Sequence, residues 1–220
     1  LRLGGARCRV HYQPKGVIGI VSPWNFPVNL ALSPLVSALA AGNTAYIKPS
    51  ELAPRCAEVL AEGVRQHFSP DEVNVACGDA DVARAFVNLP FDHLIYTGGE
   101  RIAKSIMRDA ADKLTPLTLE LGGKSPVVVG RGSNLPRLAQ RLMFGKFFNA
   151  GQVCIAPDYL MIQPEQLPVL LDALRQALAE MESAAEKVES AGAASRLRAP
   201  TPDGAHSSGA ITAPARESAA

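Results

Sequence analysis

The chain has 220 residues, 47% of them hydrophobic and 20% charged, enough to bury one large core or two small ones. Its 22 Lys and Arg against 21 Asp and Glu leave a net charge of +1, which excludes a strong long-range field and gives no argument for a polyanionic partner. Seven Phe, four Tyr and one Trp are few for a surface that stacks nucleic-acid bases, so no nucleic acid is expected.

No signal-peptide pattern marks Leu1 to Val10, and without an initiator Met the first residue reads as a cut end. No apolar run reaches the ~18 residues that a membrane span needs; the longest, Val28 to Ala41, is interrupted by Pro34. Residues 16–21, GVIGIV, are β-branched and end at Ser22-Pro23, which predicts a buried strand. Val28 to Ala41 predicts a helix stopped by Gly42, a residue that takes a left-handed cap at little cost. Residues 44–47, TAYI, predict a second strand. Leu52 to Phe68 predicts a helix with Leu52, Cys56, Val59, Leu60 and Val64 on one face. There follow a strand at 73–76, a helix over Ala80 to Asn88, a strand at 93–97, a helix from Glu100 to Ala111 and a strand at 127–129. Short apolar strands alternating with helices imply an α/β fold: a Rossmann-like parallel sheet with flanking helices. A ligand is then expected beyond the carboxyl ends of the strands. Leu135 to Phe148 predicts a helix and Asp158 to Ile162 a strand. Gln166 to Val188 carries Leu167, Leu170, Leu174, Leu178 and Met181 at helical spacing. From about Gly192 the chain is rich in Ala, Ser, Pro and Gly with almost no large apolar residue. Such a segment cannot offset its ordering entropy and is expected to be disordered.

The four cysteines, Cys8, Cys56, Cys77 and Cys154, form no Cys-x-x-Cys pair, so no metal site is expected. Four in a chain this long do not make a disulfide scaffold either, which points to a reducing, cytoplasmic setting. Cys56, on a helix face, and Cys77, after a strand, read as buried core cysteines. Cys154 differs. It follows a Gly-Gln turn between a helix and a strand, where glycine lets a backbone N–H come close to a ligand.

Glu120 stands between Leu119 and Leu121 and before Gly122-Gly123. A carboxylate in apolar surroundings is disfavoured in its ionised form and becomes a useful base; the plainer reading is an exposed helix or loop glutamate. Asn25, between Pro23 and Pro27, is either an amide held rigidly for an oxyanion hole or a simple turn residue. Lys48 and Glu51, after the second strand, suit the ribose and phosphate of a nucleotide, or else form a solvated ion pair. Thr97, Gly98 and Gly99 expose backbone N–H groups where a helix begins, a seat for a pyrophosphate. The G-x-G-x-x-G pattern is absent.

Five segments together closely resemble the aldehyde dehydrogenase superfamily: PWNFP (23–27), GNTAYIKPSE (42–51), FDHLIYTGG (91–99), TLELGGKSP (118–126) and FFNAGQVCIAPDY (147–159). CIAPDY and FDHLIYTGG look most like its class 3, fatty-aldehyde and coniferyl-aldehyde branch. The resemblance runs from about residue 9 to about residue 182. It implies NAD(P)-dependent oxidation of an aromatic or long-chain aldehyde to the carboxylic acid. Cys154 matches the nucleophile, which forms a thiohemiacetal and then an acyl thioester. Asn25, with the Cys154 N–H, matches the oxyanion hole, and Glu120 the base that activates the hydrolytic water. That base argues against a CoA-acylating relative, since such relatives lack it. Lys48 and Glu51 match the residues on the adenosine ribose, Thr97, Gly98 and Gly99 the turn under the pyrophosphate, and Trp24 a residue beside the cofactor. Leu121 is carried over with the cofactor residues. NAD is the expected cofactor, because Glu51 repels a 2′-phosphate, with NADP second.

Ala103 stands where the family has glycine and is expected to narrow the cofactor seat. The resemblance divides the chain into an NAD(P)-binding domain at 1–121 that lacks its N-terminal part, the beginning of the catalytic domain at 122–190, and a disordered tail at 191–220, with the stretch from about Ser183 expected to be unlike the family. Longer relatives are expected to form homodimers through an arm outside this sequence. Two readings stand: an active aldehyde dehydrogenase, or a truncated, inactive fragment that retains at most dinucleotide binding.

Overall fold

The computed structural model describes residues 9–197 and, ahead of them, the antiparallel pair β1 (Arg2–Leu3) and β2 (Ala6–Arg7). Strands and helices then alternate: β3 (Val17–Val21), α1 (Asn29–Ala40), β4 (Thr44–Lys48), α2 (Pro54–His67), β5 (Val73–Val75), α3 (Ala80–Val87), β6 (His93–Gly98), α4 (Glu100–Ala111) and β7 (Leu117–Leu121). β3 to β7 form one parallel sheet in the order β5-β4-β3-β6-β7. The order reverses at β3, so a crevice opens between the carboxyl ends of β3 and β6.

Period-two alternation sends the strand side chains to two cores. Ile18, Ile20, Ala45, Ile47 and Val73 pack against Ala31, Leu35 and Ala38 of α1 and Leu60 and Val64 of α2. On the opposite face Leu94 and Tyr96 pack against Phe86 and Val87 of α3 and Ala103 and Ile106 of α4. Both faces are thereby covered, as a parallel sheet requires. Each buried Leu or Ile contributes roughly 1.5–3 kcal/mol.

The predicted helices and strands of this sheet are present, with boundary shifts of a residue or two, and Gly42 takes φ +81° just after α1. Three expectations change. The helix predicted from Leu52 begins at Pro54, and Val59 is 72% exposed, so the buried face of α2 is Ala57, Leu60 and Val64. Cys77 is exposed rather than a core cysteine, while Cys56 is half-buried. β7 is an additional edge strand, with Leu117, Leu119 and Leu121 turned to the core and Thr118 and Glu120 turned out.

Beyond the sheet come β8 (Ser125–Val128), α5 (Leu135–Phe147), a 3-10 turn at Phe148–Gly151, β9 (Pro157–Met161) and α6 (Leu167–Leu197). β8 and β9 pair in parallel, and α5 and α6 cover one of their faces around Ala139, Leu142 and Leu170. The other face, with Val128, Tyr159 and Met161, is exposed. α6 continues past Gly192 to Leu197, because the alanines of that stretch favour helix. The expectation of disorder for residues 198–220 lies outside the described residues. Among the described residues no helix is long and apolar enough to cross a membrane.

Candidate active site

The carboxyl ends of β3, β4 and β6, with helices α3 and α4, enclose a cleft of about 490 Å3. Trp24 from the turn after β3, Lys48 and Glu51 from the end of β4, and Thr97, Gly98 and Gly99 from the end of β6 all line it. Of the residues expected to hold a dinucleotide only Leu121 lies outside its wall, because it packs into the core at the sheet edge. Ala103 is likewise buried in that core and is no part of the wall, so its methyl does not narrow the cleft.

Lys48 is not half of a solvated ion pair: its side chain is 1% exposed and lies 3.7 Å from Glu51 Oε2. Its Nζ donates to the Pro49 carbonyl at 2.7 Å, which helps offset the cost of burying an ammonium. The Tyr96 hydroxyl donates to the Gly99 carbonyl at 3.2 Å, and burial pushes the phenol above its ordinary range, keeping it a neutral donor. A Cβ at Gly98 would collide with that hydroxyl.

The cleft fits a dinucleotide on two observations. The buried Ser22 Oγ lines it without a hydrogen-bond partner. α4 opens at Gly99 with no side-chain cap, and a Cβ there would meet nothing within 4 Å. A ligand rich in hydroxyls and phosphates satisfies both the orphaned hydroxyl and the free helix N–H groups.

Cys154 lies in the loop between α5 and β9, exposed and free of disulfide. Two hydrogen bonds pin this loop to the turn after β3. Asn25 Nδ2 donates to the Gln152 carbonyl, and Asn149 Nδ2 donates to the Asn25 carbonyl, each at 2.8 Å. Phe26 stacks on Phe148 at 5.9 Å between ring centroids, and Phe144 packs on the same ring at 5.6 Å. Asn149, Ala150 and Gly151 hold φ values of 48°, 55° and 77° just before the cysteine, a left-handed run that only packing of this kind sustains. On the other side, a Cβ at Gly123 would lie 4.0 Å from the Cys154 carbonyl oxygen. The segments carrying Asn25, Cys154 and Glu120 therefore meet.

Glu120 does not lie in apolar surroundings. Its leucine neighbours point to the opposite side of β7, and its carboxylate is exposed. Asn25 commits one amide N–H to Gln152, and its second N–H has no partner among the described residues. Sequence reasoning passed over Asn149 and Gln152 in the loop and Ser22, Arg84 and Arg101 in the cleft wall. The last two had a signal: Ala80, Ala83, Arg84 and Val87 on α3, and Arg101, Ile102, Ser105 and Asp109 on α4, recur at helical spacing and line the cleft.

Residues 3–194 match the aldehyde dehydrogenase family. The chain belongs to that family. Coniferyl aldehyde dehydrogenase of Pseudomonas sp. strain HR199 is 54% identical over 163 residues, which cover 74% of this chain and 34% of that relative. The substrate-bound state of Staphylococcus aureus AldH superposes with a TM-score of 0.73 at 40% identity, covering 76% of this chain and 37% of that one. A mutant of Pseudomonas syringae aldehyde dehydrogenase C, complexed with NAD+ and octanal, superposes with a TM-score of 0.71 at 29% identity, covering 75% of this chain and 35% of that one. The chain thus spans about a third of the length of the aldehyde dehydrogenases it matches.

Proposed function

We propose that this chain carries the nucleophile and the dinucleotide cleft of an NAD(P)-dependent enzyme that oxidises an aldehyde to its carboxylic acid. The observation that carries the reading is the reciprocal pair of bonds between Asn25 and the Asn149–Gln152 loop. It holds the Cys154 loop against the turn whose Trp24 forms part of the cleft wall.

The Cys154 thiolate adds to the aldehyde carbon, and the carbonyl oxygen becomes an alkoxide of a thiohemiacetal. The remaining Asn25 N–H and the Cys154 N–H stabilise that oxygen. NAD(P), when bound, supplies the acceptor for the hydride that leaves the same carbon, and an acyl thioester stays on Cys154. Glu120 takes a proton from water, whose oxygen attacks the acyl carbon; the C–S bond breaks and the thiolate is regenerated. Lys48 and Glu51 hold the adenosine ribose, Thr97, Gly98 and Gly99 seat the pyrophosphate, and Trp24 flanks the cofactor. Leu121 closes the edge of the sheet beside Glu120. The identity to a coniferyl aldehyde dehydrogenase favours an aromatic aldehyde over a long-chain one. Chemistry on a free thiol suits the reducing cytoplasm.

Absorbance of NADH with coniferaldehyde, benzaldehyde and hexanal tests the reading. Turnover is expected, and Cys154→Ala is expected to abolish it. NADH formation that persists in the variant would remove Cys154 from its role. Dinucleotide binding without any turnover would favour the inactive-fragment reading.

A further inference from the structure

Three cations line the dinucleotide cleft: Lys48, Arg84 and Arg101. Two already have an acidic partner within the chain. Lys48 is buried against the Pro49 carbonyl and Glu51, and Arg84 pairs with Asp81 one turn earlier on α3. Arg101, exposed on the first turn of α4, has no carboxylate at ion-pair distance among the described residues. Its neighbour Glu100, the nearest acid in sequence, is turned to Lys104 at 2.5 Å. The guanidinium is therefore available to a ligand, in a cleft whose helix N-terminus already favours anions.

Glu51 works the other way. A carboxylate at the ribose accepts from a 2′-hydroxyl but repels a 2′-phosphate. By itself it would turn the cleft against NADP. Arg101, on the first turn of α4, and Glu51, just beyond the end of β4, line the same cleft, and both charges act on the Tyr96 hydroxyl there, in opposite directions.

We propose that Arg101 is a specificity-determining residue, the counter-charge that lets this cleft accept a 2′-phosphorylated dinucleotide beside the unphosphorylated one despite Glu51. The proposal rests on the cleft being a dinucleotide site. A guanidinium meets a phosphate through two parallel N–H donors, a geometry that lysine lacks. Arg101 thereby decides how much of the Glu51 repulsion a 2′-phosphate feels.

The single tryptophan of the chain, Trp24, lines the cleft, so its fluorescence reports binding of NAD and NADP without any turnover. Arg101→Ala is expected to weaken NADP about tenfold or more while NAD changes by less than about twofold. Arg101→Lys recovers part of the loss. Glu51→Gln in the Arg101→Ala background restores NADP binding, because it removes the repulsion that Arg101 had balanced. Retained NAD binding in the two Arg101 variants, and a far-ultraviolet circular dichroism spectrum like the parent's in the Glu51 double variant, certify the fold. Equal losses for both dinucleotides would place Arg101 on the shared pyrophosphate and overturn the proposal. So would an unchanged NADP affinity, or a parent chain that binds NAD and refuses NADP. Failure of the parent chain to bind either dinucleotide would instead sink the dinucleotide reading of the cleft.

Discussion

Asn149, Ala150 and Gly151 turn the chain left-handed just ahead of Cys154, and their partners decide how the thiol is presented. A Cβ at Gly151 would sit 3.0 Å from the Lys146 carbonyl at a φ of +77°. Gly151→Ala is therefore expected to cost about 1–3 kcal/mol of stability and to change the rate at which iodoacetamide labels Cys154. A denaturation midpoint and a labelling time course check this; if neither moves, the loop is not held as described. That Cys154 is not a core cysteine was legible in the sequence, because it follows a Gly-Gln turn between a helix and a strand, and the thiol is exposed. The surroundings of Glu120 were misread for a physical reason. Leu119 and Leu121 adjoin it in sequence, but on a strand adjacent side chains point to opposite faces.

At the scale of elements, apolar runs and helical spacing located β3, β4, β5 and β6 and the helices between them. β7 is less legible although Leu117, Leu119 and Leu121 alternate at period two, because a half-buried edge strand of five residues, paired only with β6, carries no continuous apolar run. α2 was turned too far: Pro54 suits the first helical position, so Leu52 falls outside and the buried face moves to Ala57, Leu60 and Val64. α3 is capped by Asp79, whose Oδ1 accepts from the N–H groups of Asp81 at 3.0 Å and Val82 at 3.2 Å. The bond from Val82 and then that from Asp81 hold the carboxyl below its ordinary range. A carboxyl whose folded pKa is depressed adds stability above its unfolded pKa, and that stability is lost as pH falls through the folded value. Asp79→Ala is thus expected to lower the melting temperature near pH 7, with the gap to the parent chain narrowing as the pH falls below about 4. Melting curves across that range decide it; a gap independent of pH would mean that the charge of the cap contributes nothing.

Over the whole molecule, the sheet of β3 to β7 is covered on both faces, whereas β8 and β9 have one face open. Val128 is 74% exposed and pairs with Met161, which is 54% exposed. Contiguous apolar surface of this kind binds hydrophobic dyes. Val128→Ser combined with Met161→Ser is expected to lower dye fluorescence while leaving the labelling rate of Cys154 unchanged. Unaltered fluorescence would show that the face is not the open surface described. The fold class was readable because alternating strands and helices permit few arrangements. The joining of the Cys154 loop to the Asn25 turn was not readable, since it rests on hydrogen bonds between residues more than a hundred positions apart. The central claim is that Cys154 bonds covalently to the aldehyde carbon beside the dinucleotide cleft. Peptide-level mass spectrometry after incubation of Glu120→Gln with benzaldehyde and NAD tests it most directly. A benzoyl thioester on Cys154, absent without NAD and absent when Cys154 is also changed to Ala, is the predicted result; a modification on Cys56 or Cys77, or NADH formed with no adduct at Cys154, would contradict it.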